Sequence, residues 1–98
     1  MSITKARILE AIFKAIEDTN RFATPSARLA QIPTAILSGE GAMLDSLALI
    51  TLIVSVEEHL MSNLGVSISV LDEEVWADPN GPYRSVDALA DWILKRLV

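Results

Sequence analysis

The chain has 98 residues, about half of them apolar, enough for one small domain with its own core and no more. It has no cysteine, which excludes disulfide staples, thiolate zinc sites and cysteine nucleophiles. Its net charge is −5 and its eight basic residues are scattered, so it lacks the clustered lysines and arginines that grip a phosphate backbone, and no nucleic acid partner is expected.

The N-terminus, Met1-Ser2-Ile3-Thr4-Lys5-Ala6-Arg7, has no apolar stretch followed by a small-residue cleavage site. No uninterrupted apolar run approaches the roughly 20 residues of a membrane span. A cytoplasmic location with no membrane partner is expected. The first predicted helix covers 3–19, with Ser2 as its cap. Ile8, Leu9, Ile12, Phe13 and Ile16 recur at the three- and four-residue spacing of one helix face.

A long connection follows over 20–45, holding Pro25, Pro33, Gly39 and Gly41. Thr24-Pro25 fits the start of a short helical turn. Leu29, Ile32, Ile36 and Leu37 are expected to pin this connection to the core. Long loops in small domains are uncommon and often functional. This one delivers the chain to Asp45-Ser46.

The second helix is predicted from Ser46 to Leu64, closed by Gly65 as a left-handed cap. Its Leu, Ile and Val content also suits a buried strand, but the segment is far longer than most strands. At 100° per residue its side chains fall into three sectors. Thr51, Ser55, Glu58 and Ser62 make a polar face. Leu49, Leu52, Ile53, Val56 and Leu60 suit the core. Leu47, Ile50, Val54 and Met61 form a further apolar strip, so the apolar arc is about twice the ~100° a surface helix needs. The strip is either core of a central helix or an exposed contact surface.

Val66 to Val70 alternates like a strand but has no evident partner, so an extended linker plugging the core is expected. Leu71 to Ala77 reads as a short third helix with Asp72, Glu73 and Glu74 near its start. Asp78-Pro79-Asn80-Gly81-Pro82 is a turn. Ser85 caps a closing helix with Val86, Leu89, Ala90, Ile93 and Leu97 on its inner face. The expectation is a single all-α domain over 1–98.

Asp45-Ser46 lies at the start of the second helix, where backbone N–H groups favour an anion. A phosphodiester on Ser46 would be well placed there. Asp45 suits helix capping, or positioning a divalent cation while a transferase moves a phosphate-bearing group. Asp-Ser before an apolar run is also a common unmodified helix start. A hydrolase nucleophile at Ser46 would need a nearby base and a G-x-S-x-G elbow. The only histidine, His59, is thirteen residues along the same helix, about 20 Å away. It is expected at the surface or boundary. Trp76 and Trp92 are read as core residues. The chain is not expected to be an enzyme.

Leu44-Asp45-Ser46-Leu47, followed by Ala48 to Leu60 with Val56-Glu57-Glu58 inside it, resembles the acyl carrier protein family. Ser85 to Ile93 looks like that family's last helix. The resemblance implies a four-helix bundle with a long loop between helices 1 and 2 and a short third helix. It implies 4′-phosphopantetheine attached to Ser46, with Asp45 assisting the modification. Leu47, Ile50 and Val54 would be apolar contacts for partners, and Glu57 and Glu58 would meet their basic residues. The partners would be a phosphopantetheinyl transferase and acyl-transferring or synthase enzymes, with the carrier itself a monomer. Acyl intermediates would ride as thioesters in fatty acid, lipid, polyketide or secondary-metabolite synthesis.

The chain departs from the family pattern in three places. Ala48 and Thr51 stand where fatty-acid carriers usually have acids, Met43-Leu44 replaces small residues before the aspartate, and Trp76 to Arg84 is longer than the common form. These departures point to a specialised carrier. An aminoacyl or peptidyl carrier is the neighbouring alternative, and its usual Gly-Gly before the motif is missing here. A helical interaction module in which Ser46 only caps a helix is the alternative from another class.

Overall fold

The computed structural model describes residues 3–21, 28–38, 46–70 and 81–97. Three α-helices lie within them: α1 (Lys5–Asn20), α2 (Ser46–Leu64) and α3 (Val86–Leu97). The described part is all-α, with one isolated antiparallel bridge between Ile36 and Ser85. The short helix expected over 71–77 lies outside the described residues, as does Trp76.

Thr4, rather than Ser2, caps α1. Its backbone is extended and its hydroxyl accepts the Arg7 N–H at 3.3 Å, satisfying one unpaired donor of the first turn. The inner face is Ile8, Ala11, Ile12, Ala15 and Ile16, all buried. Leu9 and Phe13, expected at its centre, pack only at its margins. The small Ala11 and Ala15 sit at the centre instead, which lets neighbouring elements approach closely. At the far end, the Asn20 side chain brackets Leu29. It accepts the Leu29 N–H and donates to the Leu29 carbonyl, both at 2.9 Å.

The described part of the long connection is held by backbone bonds to the segment before α3. Leu37 N–H donates to the Arg84 carbonyl, Val86 N–H to Ala35 and Asp87 N–H to Pro33. Ala35 and Leu37 point inward, while Ile36 between them is exposed. That alternation is what extended backbone imposes. Of the four residues expected to pin the loop, Leu29 and Leu37 are buried. Ile32 and Ile36 are exposed, and Ala35 takes the inner place.

Helix α2 has the bounds expected of it. Gly65 follows at φ 66°, and its N–H donates to the Met61 carbonyl, closing the helix in a left-handed cap. Over Leu47–Leu64 the helix is long and apolar enough, by length and composition, to cross a membrane, with mean hydropathy 1.3. The expectation that no such segment exists is therefore corrected. It rested on uninterrupted runs, which Thr51 and Ser55 break without making the helix polar on average. Within the window, Leu49, Leu52, Ile53, Val56 and Leu60 are buried in the core.

Residues 66–70 run extended with no strand partner. Val66 and Ile68 pack on the core and Val70 is fully buried. Side chains replace a strand neighbour at Val70. Glu57 Oε1 accepts its N–H at 2.6 Å, and the buried Tyr83 hydroxyl donates to its carbonyl at 2.6 Å. Tyr83 belongs to a 3₁₀ turn, Pro82–Arg84, that leads into α3. Ser85 then caps α3, its Oγ accepting the Ala88 N–H at 3.1 Å. Val86, Leu89, Ala90 and Ile93 are buried, and Leu97 is half-buried. Trp92 is half-buried too, edge-on to Tyr83 and stacked under Arg96.

Helix α1 packs against both α2 and α3. At its first turn Lys5 Nζ bridges Asp87 and Asp91, one turn apart on α3, at 2.6 and 3.0 Å. Toward its other end Asp18 meets His59 of α2. No polar or charged residue is buried among the described residues.

Candidate functional site

Ser46 is the first residue of α2. The residue beside it, Leu47, is 72% exposed, whereas Leu49 in the same turn is buried. A group carried by the first turn lies at the positive end of the helix dipole, which favours a phosphodiester. Asp45 lies outside the described residues.

Burial separates the two apolar sectors of α2. Leu52, Ile53, Val56 and Leu60 are fully buried and Leu49 nearly so. Ile50, Val54 and Met61 are exposed with Leu47, at 37%, 41% and 50%. The second apolar strip therefore faces outward, running from beside Ser46 almost to the end of the helix. Thr51 and Glu58 lie along it and are exposed. The Thr51 hydroxyl is turned back onto the helix, donating to the Leu47 carbonyl at 2.9 Å.

The two acids differ in their surroundings. Glu58 is exposed, whereas Glu57 is half-buried and committed through Oε1 to the Val70 N–H. Glu57 thus ties the 66–70 segment to α2 as well as presenting charge near the strip. No pattern in the sequence announced this, because the two residues are thirteen positions apart and on different elements.

Val54, Met61, Val66 and Ile68 line an open groove between α2 and the extended segment, with Glu58 and Ser62 at its side. Sequence reasoning placed Val54 and Met61 on the strip but did not foresee the groove. Its far wall depends on which residues of an irregular segment turn outward.

His59, as expected, sits at the boundary. Its Nε2 lies 2.6 Å from Asp18 Oδ2, joining α2 to α1. This bond occupies a ring nitrogen in a structural link, thirteen residues from Ser46.

The chain matches no family model, and no curated protein or solved structure is significantly similar to it.

Proposed function

We propose that this chain is a carrier protein whose Ser46 accepts a 4′-phosphopantetheine arm. The observation that supports this best is the junction at the start of α2. Ser46 opens a long helix, and an outward-facing apolar strip begins at the very next residue. A carrier needs an attachment point with a docking surface beside it, and the position of Ser46 next to the exposed Leu47 supports that reading.

In the loading step the Ser46 hydroxyl attacks the β-phosphate of coenzyme A. An Oγ–P bond forms and the pyrophosphate P–O bond breaks. Adenosine 3′,5′-bisphosphate leaves, and the serine proton passes to a base on the transferase. The arm supplies the thiol that the cysteine-free chain lacks. Asp45 assists the transfer. Once loaded, the chain carries acyl groups as thioesters and catalyses nothing itself. Helix α2 presents Leu47, Ile50 and Val54 to partner enzymes, with Glu58 and the charge of Glu57 beside them.

The four-helix acyl-carrier arrangement, with a short helix over 71–77, belongs to the same proposal. So does the specialised character of the carrier. Ala48 and Thr51 leave the first turns of α2 without the acids of ordinary fatty-acid carriers. The chain works as a monomer in the cytoplasm.

Incubation with a fluorescent coenzyme A derivative and a promiscuous phosphopantetheinyl transferase tests the reading. Wild-type chain is expected to take up one fluorophore and Ser46→Ala none. Equal labelling of both, or none of either while a known carrier labels in the same tube, would contradict it.

A further inference from the structure

We draw no further inference here: the strongest candidate, the outward edge of the 28–38 loop, where Ile32 and Ile36 stand exposed beside the pairing with residues 84–87, is an unpartnered apolar patch, and nothing in the structure shows what covers it.

Discussion

Val70 is held through both of its backbone polar groups, by Glu57 at the N–H and by Tyr83 at the carbonyl. Removing one partner of a buried hydrogen bond leaves the other uncompensated. Tyr83→Phe should therefore cost about 1–2 kcal/mol in urea unfolding, although it removes a single oxygen. The two faces of α2 should respond differently to truncation. Leu60→Ala, at a fully buried position, should cost about 2–5 kcal/mol. Ile50→Ala and Val54→Ala, on the exposed strip, should each cost less than about 1 kcal/mol. A loss at Ile50 as large as at Leu60 would make it a core residue and remove it from the docking surface. Lys5 makes a pH prediction. The hydrogen bonds it donates to Asp87 and then to Asp91 raise its pKa above the ordinary lysine value. A raised value in the folded state favours folding below the unfolded lysine pKa of ~10.4, and that advantage disappears as pH climbs through the higher folded value. The contribution of this group to the melting temperature should thus be present and independent of pH from pH 6 to 9, and the alkaline decline of the wild type should be shallower in Lys5→Met.

At the scale of elements, signals close in sequence were read well and signals that depend on distant neighbours were not. The bounds of α2 were legible because its whole length keeps helical periodicity and Gly65 stops it. Gly65→Ala should destabilise by about 1 kcal/mol, measured by denaturant titration, through backbone strain at φ 66°. No heavy atom lies within 4 Å of the added Cβ, so steric crowding adds nothing to that cost. The cap of α3 at Ser85 was legible for the same local reason. The inner face of α1 was only partly so. Ala11 and Ala15 carry little hydrophobic signal, and their central place is decided by how closely α2 and α3 approach. In the 28–38 loop the distinction between inward Ala35 and Leu37 and outward Ile32 and Ile36 comes from pairing with residues 84–87, some fifty positions away. Hydrophobicity alone pointed to the wrong isoleucines.

For the whole molecule, α1 is the shared element, fixed to α3 through Lys5 and to α2 through Asp18 and His59. Its packing buries one face of α2 and leaves the opposite strip outward. The two apolar sectors of α2 were legible in the sequence, and so was the one that packs inward, but that the second strip is left uncovered was not, because that depends on where α1 lies. The start of α2 at Ser46 was legible from the residue types there. Glu57's second task, holding Val70, was hidden by distance along the chain. The carrier reading turns on covalent loading of Ser46. Intact-mass measurement after coexpression with a phosphopantetheinyl transferase, followed by fragmentation to locate the added group, tests it most directly. The account predicts a single added arm, located on Ser46 and lost in Ser46→Ala. An unchanged mass in the wild type, or an arm located on another residue, would contradict it.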